Sequence, residues 1–233
     1  MSRREVTRRT GGDVAAFLER LARTPVRAEE GGRGRVIFAL DATASREPTW
    51  DRAARVTGEM FLEAARLGGL EVQLVYYRGF DECRASRWLA DPARLVRLMS
   101  GVGCRAGETQ IARVLRHAIR EARTARVHAL VFVGDCCEEE VDALGRLAGE
   151  LGLLGVRAFL FQEGDDPVAH RAFRHIARLT GGAHCRFDSS APRELAELLR
   201  AVAAYAAGGV PALEAAARRS ALPQVRLLAR QVR

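Results

Sequence analysis

Val36-Ile37-Phe38-Ala39-Leu40 is an unbroken apolar run of strand length that stops at an aspartate, Asp41. A run without alternation has no solvent face, so it suits a strand covered on both sides within a parallel sheet. Val131-Phe132-Val133-Gly134-Asp135 repeats the pattern later in the chain. Strand-like and amphipathic helical stretches alternate after residue 34, which predicts an α/β fold: a three-layer α/β/α sandwich around a Rossmann-like, mostly parallel sheet.

The expected elements begin with the first strand and an amphipathic helix over about 49–67, ended by Gly68-Gly69. A strand follows over 70–77, where Leu70, Val72, Leu74 and Tyr76 alternate, and a short strand within 82–88 is expected to fold back as an antiparallel edge. Asp91-Pro92 supplies an N-cap and a first-position proline for a helix running to Ser100. A glycine-punctuated loop spans 101–108. Helices are then expected over 109–124, 138–151, 167–179 and 191–206, alternating with strands over 127–133, 156–162 and 183–187.

These elements define a domain over 34–206. Before it, residues 1–33 form an extension in which Val14, Phe17, Leu18 and Leu21 recur at helical spacing behind Asp13, followed by a glycine-rich linker. After it, residues 207–233 form a basic helical extension that Pro211 can open, with Val225-Arg226-Leu227-Leu228 apolar enough to dock on the domain or on a partner.

Composition narrows the functional classes. The chain has 233 residues, 48% of them apolar and 28% charged, which suits one core-forming domain with terminal additions. No stretch has the uncharged apolar length of a membrane span, and no apolar run follows the first arginines, so a soluble, cytoplasmic protein is expected. Cys83, Cys104, Cys136, Cys137 and Cys185 are odd in number and contain no C-x-x-C pair, which fits reduced thiols better than a disulfide scaffold or a structural zinc site.

The net charge of +8 is concentrated at the two ends. Residues 1–35 carry +4 and residues 218–233 carry +5, which leaves −1 for the middle. All 37 basic residues are arginine, and the chain lacks both lysine and asparagine, as a GC-rich bacterial genome would produce. Nucleic acid is therefore not the expected main partner; any such binding would lie in the tails and depend strongly on salt.

The richest chemistry lies in Leu40-Asp41-Ala42-Thr43-Ala44-Ser45. Alternation lets the oxygens of Asp41, Thr43 and Ser45 face one point just past a buried strand, at the sheet edge where open α/β folds bind ligands. Asp135 ends a second strand at that edge, and Thr109, behind Gly107-Glu108, adds a hydroxyl. Two carboxylates and three hydroxyls make an all-oxygen set suited to Mg²⁺ or Mn²⁺. Bland alternatives stand beside each assignment: Thr109 as a helix N-cap, Asp135 as a cap for the helix near Glu138, and Ser45 as turn chemistry before Pro48.

This constellation resembles the von Willebrand factor A-type domain and its metal-ion-dependent adhesion site, whose pattern is D-x-S-x-S, then a threonine, then an aspartate after a later strand. Asp41, Thr43 and Ser45 match the first motif, Thr109 the threonine and Asp135 the second aspartate. The resemblance covers about residues 34–206, and includes the Thr180-Gly181-Gly182 turn. It implies hydroxyls on the metal, aspartates acting partly through water, and an Asp or Glu of a partner protein completing the shell. Thr43 in place of serine and Cys136-Cys137 after Asp135 depart from the pattern.

The reading that follows is a metal-dependent protein-binding module and not an enzyme. A metal-free scaffold binding through tails or helices is the alternative. A phosphotransferase using Asp41 comes third, since the second acid of haloacid-dehalogenase-like enzymes is replaced by Thr43 and no lysine exists to hold phosphate. The histidines (His117, His128, His170, His175 and His184) show no ligand spacing and are expected to be structural. Cys104, Cys136 and Cys137 are placed at the metal edge, where a thiol with a lowered pKa would sense oxidation but an inert one is the simpler expectation. Arg46 and Trp50 are candidate border residues of a binding face, and the acidic loop 163–166 lies on the same edge.

Overall fold

The computed structural model describes residues 33–46, 70–187 and 192–232. The expected helix over 49–67, the N-terminal helix, Trp50 and the side chain of Arg46 lie outside the described residues.

Six strands form one sheet: β1 (Gly34–Asp41), β2 (Leu70–Arg78), β3 (Glu82–Ala85), β4 (Ala129–Gly134), β5 (Arg157–Glu163) and β6 (Ala183–Phe187). Their order is β3-β2-β1-β4-β5-β6, and every pairing is parallel except β2 with β3. The short antiparallel edge is thus where the sequence places it.

Six helices are described: α1 (Pro92–Ser100), α2 (Ile111–Thr124), α3 (Val141–Leu153), α4 (Pro167–Thr180), α5 (Pro192–Arg219) and α6 (Pro223–Gln231). They split between the faces of the sheet as the pleat of β1 dictates. Val36, Phe38 and Leu40 point into a core with α1, α5 and α6, while Ile37 and Ala39 point into a second core with α2, α3 and α4. Two apolar layers flanking an apolar strand explain why β1 shows no polar alternation.

Helix α1 starts as the sequence predicts, with the Asp91 carboxylate accepting from the Ala93 amide at 2.9 Å. Helices α2 and α3 begin two to three residues later than the apolar periodicity predicts. Helix α5 breaks at Gly208 and Gly209, whose φ is +66°, and resumes behind Pro211. The C-terminal segment docks on the domain: Val225 and Leu228 are buried, and the Gln231 amide accepts from the His184 N–H at 3.0 Å and donates to its carbonyl at 3.1 Å. Among the described residues no helix is long and apolar enough to cross a membrane.

Candidate metal centre

Strands β1 and β4 are hydrogen-bonded neighbours, with Leu40 opposite Val133, so both release the chain at one edge of the sheet. Asp41 is the last residue of β1, and Asp135 follows the end of β4. That shared exit brings the two carboxylates together. The Cys136 sulfur joins them, and the three donor atoms lie within 4.8 Å of one another.

Asp41 is 0% exposed. Its Oδ1 accepts from the Thr43 amide at 2.8 Å, and its Oδ2 accepts from the Tyr77 hydroxyl at 2.9 Å. Burial pushes the Asp41 carboxyl above its usual range and the negative charge of Asp135 adds to this, while the bonds from Thr43 and Tyr77 oppose it. Asp135 is in the opposite state: its Oδ1 is buried and has no hydrogen-bond partner among the described residues. An orphaned carboxylate oxygen beside a second buried carboxylate is costly without a cation or water to satisfy it.

The hydroxyls divide. Thr43 is buried, and its Oγ1 lies 3.1 Å from the exposed Ser45 Oγ, so these two stay together on the first loop. Thr43 also forms a parallel bridge with Arg105, which lays the glycine-punctuated loop beside the motif. The hydrogen bonds of Thr109 go to Glu138: its Oγ1 accepts from the Glu138 amide at 3.0 Å, and its own amide donates to the Glu138 carboxylate at 2.9 Å. This reciprocal pair ties the entry of α2 to the loop that carries Asp135.

Neither capping alternative holds. The N-cap of α2 is Gln110, and the first amides of that helix are satisfied from another loop, with Glu139 accepting from Ile111 and from Ala112 at 2.9 Å. The N-cap of α3 is Glu140, not Asp135. Ser45 does lie in a single 3₁₀ turn, Ala44–Arg46. In the acidic loop, Asp166 caps α4 through the Ala169 amide. The roles of Glu138 and Glu139 carry no local signal in the sequence, because their partners sit 27 to 29 residues away.

Cys136 and Cys137 lack the lowered pKa that an oxidation-sensing thiol needs. Burial and the neighbouring carboxylates push Cys136 far above the usual thiol range, and burial drives Cys137 up to about 11. Three histidines make the structural contacts expected of them. The His128 Nδ1 accepts from the Arg35 amide at 2.9 Å, His117 Nε2 lies 2.7 Å from Gln73 Oε1, and His184 Nε2 lies 3.2 Å from Gln162 Oε1.

No protein-family model matches the sequence, and no curated protein is similar to it. Solved structures are similar in fold. A von Willebrand factor type A protein from Catenulispora acidiphila is 19% identical, with 76% of this chain and 43% of that one covered at a TM-score of 0.61. The SpRpn10 VWA domain is 13% identical, with 71% and 95% covered at 0.57. The fold is that of a von Willebrand factor A domain. An aerotolerance-related membrane protein from Bacteroides fragilis shares it at 16% identity, with 70% and 96% covered at 0.55. This chain spans less than half the length of the Catenulispora protein.

In this von Willebrand factor A fold the donor set suits a divalent cation. It offers two clustered carboxylates, one with an unsatisfied oxygen, a hydroxyl pair on the adjoining loop, and one sulfur. The Cys136 sulfur lies beside the oxygen ligands that the sequence suggests.

Proposed function

We propose that this chain is a protein-binding module in which Asp41 and Asp135 hold a divalent cation, Mg²⁺ or Mn²⁺, that accepts an Asp or Glu from a partner protein. The orphaned Asp135 Oδ1 beside fully buried Asp41 carries this reading. Tyr77 and the Thr43 amide fix the Asp41 carboxylate, so its orientation is set before any ligand arrives. Thr43 and Ser45 supply hydroxyls from the same loop, and the Thr109–Glu138 pair anchors the loop bearing Asp135. The bound ion would supply positive charge and an open coordination position for an incoming carboxylate. Solved structures of the same fold, among them a pilus adhesin from Lactobacillus rhamnosus GG, are consistent with an interaction role.

A non-enzymatic role is part of the proposal. Both Asp41 oxygens are engaged and the side chain is fully buried, an arrangement that supports a fixed ligand over an attacking nucleophile. The metal-free scaffold keeps one supporting observation, namely that the hydroxyls of Thr43, Ser45 and Thr109 already have hydrogen-bond partners.

Calorimetric titration of Mn²⁺ into the chelator-treated protein and into Asp41→Ala separates the two. One-site binding that vanishes in the variant, and a Mn²⁺-dependent gain in retention on an immobilised poly-glutamate peptide, support the bridging module. Saturating metal at 100 times its Kd should add about 2.7 kcal/mol of stability. Absence of binding with and without the peptide leaves the scaffold.

A further inference from the structure

We propose that Arg105 and Phe80 extend the binding face beside the Asp41–Asp135 centre and select the partner: a segment in which a second carboxylate and an apolar side chain accompany the carboxylate that reaches the ion. This rests on the metal-bridging role proposed above and adds the chemistry of the partner to it. The backbone sets both residues at the metal edge. The Arg105 amide donates to the Ala42 carbonyl at 3.1 Å, and Arg105 bridges Thr43 of the first motif. The β2–β3 turn that carries Phe80 leaves the sheet at the same edge, since Tyr77, three residues earlier, stands opposite Asp41.

Arg105 is the surplus cation of its cluster. Three guanidiniums, those of Arg78, Arg84 and Arg105, meet the single carboxylate of Glu82. Arg78 takes both Glu82 oxygens, at 2.9 and 3.1 Å, and Arg84 donates to one of them at 3.1 Å. Arg78 is tied further to the Gly103 carbonyl at 2.7 Å. Arg105 is left with an ion-pair contact at 3.6 Å, its side chain 66% exposed. A long, exposed pair of this kind is worth little, so turning Arg105 toward a carboxylate of a bound partner costs little. Glu108 is exposed on the same loop but pairs with none of the three arginines. The loop after β4 has the opposite character, with Glu138 and Glu140 exposed, and repels a second carboxylate on that side. The two flanks therefore give an acidic partner one direction across the ion.

Phe80 is 68% exposed, yet its turn is held from three sides. The Gly79 carbonyl accepts from the Glu108 amide at 3.3 Å and from Gln110 Nε2 at 3.0 Å. Gly79 has a φ of +60°, and a Cβ on Gly107 would overlap the Gly79 backbone. The Arg105 guanidinium reaches Glu82, two residues past Phe80, so both side chains rise from one clamped surface. Aromatic and arginine side chains on a fixed surface are the residue types that carry most binding energy at protein interfaces, because little ordering is lost when a partner covers them. Charge complementarity makes the partner acidic, and the exposed ring asks it for an apolar side chain.

The test is fluorescence anisotropy of two labelled peptides, three repeats of Glu-Glu-Leu-Ser and three of Glu-Glu-Ser-Ser, against the full chain loaded with Mn²⁺. Arg105→Gln and Phe80→Ser are compared with wild type and with Arg174→Gln on α4, a control of the same charge loss. All three side chains are exposed, so unchanged melting temperatures confirm that the variants fold, and a Mn²⁺ titration of each reports the metal centre separately. Wild type is expected to prefer the leucine peptide by about fivefold. Arg105→Gln should weaken both peptides about tenfold and Phe80→Ser should remove only the preference, while Arg174→Gln changes neither. With Mn²⁺ bound, no binding of either peptide by wild type, an Arg105→Gln effect no larger than that of Arg174→Gln, or no leucine preference that Phe80→Ser removes, overturns this inference and leaves the metal centre standing. Absence of Mn²⁺ binding, or peptide binding that is the same in chelator, overturns the bridging role and this inference with it.

Discussion

The Tyr77 hydroxyl donates to Asp41 Oδ2 at 2.9 Å across the β1–β2 pairing, where the two residues stand directly opposite in register. Both are 0% exposed, and Tyr77 stacks on Phe132 with ring centroids 6.2 Å apart. A buried carboxylate at the functional edge is thus fixed by a phenol whose ring belongs to the core. Burial and the Asp41 charge push the Tyr77 hydroxyl well above its ordinary range, so it remains a donor at every physiological pH. Tyr77→Phe removes that donor and strands a buried carboxylate oxygen. The expected loss is about 1–3 kcal/mol of unfolding free energy at pH 7, read by urea denaturation, with weaker Mn²⁺ binding because the ligand is no longer oriented.

Asp41 itself should be a stability liability when no metal is bound. Its folded-state pKa is raised by burial above the unfolded value of 3.8, so the native state holds its proton more tightly than the unfolded state does. Stability therefore falls as pH rises from 3.8 through the raised folded value, and is flat for this group above it. Asp41→Asn keeps the side chain's size, accepts from the Thr43 amide and abolishes the titration. In chelator, the variant should be at least as stable as wild type at pH 7 and lose that advantage toward pH 4, while binding no Mn²⁺. A variant that is less stable than wild type at pH 7 would contradict the assignment of Asp41 as a buried charge for which the bonds from Thr43 and Tyr77 do not fully offset the cost of burial.

Much of this arrangement is legible in the sequence because it follows from local pattern. The unbroken run Val36–Leu40 gives a doubly covered strand, and the aspartates that end β1 and β4 share an edge because those strands are neighbours. Non-local pairings are not legible. The first amides of α2 are satisfied by Glu139, far along the chain, and no local residue signals this. Thr109 looks like a cap from its position, yet it spends its hydroxyl on Glu138. Cys136 reads as a departure from a motif until the loop after β4 folds it back onto the two carboxylates.

Glu139 offers a direct check on that cross-loop cap. It is partly buried, and burial raises its carboxyl above the usual range while the bonds from Ala112 and Ile111 lower it. A carboxylate on the first amides of a helix is favoured by both hydrogen bonding and the helix dipole. Glu139→Ala should cost about 1–2 kcal/mol and speed hydrogen exchange at Ile111 and Ala112 ahead of the rest of α2. Uniform exchange across the helix, with unchanged stability, would mean that the cap carries no energy.

In the proposed centre, Cys136 is expected to influence which cation is preferred. A thiol beside Asp41 and Asp135 adds a soft donor to a hard pair, and sulfur favours later first-row metals over Mg²⁺. Without metal the thiol is held protonated by burial and by the carboxylate charge, so coordination must release its proton to the solvent. Co²⁺ is a suitable probe, because a thiolate bound to it gives a charge-transfer absorption that oxygen ligands do not. Wild type is expected to show that band, together with a pH-dependent proton release on titration. Cys136→Ser should abolish the band and weaken Co²⁺ by roughly 10–100-fold, while Mn²⁺ affinity changes little. Equal Co²⁺ affinity in the two proteins, with no band in either, would place the sulfur outside the coordination shell and leave an all-oxygen centre built on Asp41 and Asp135.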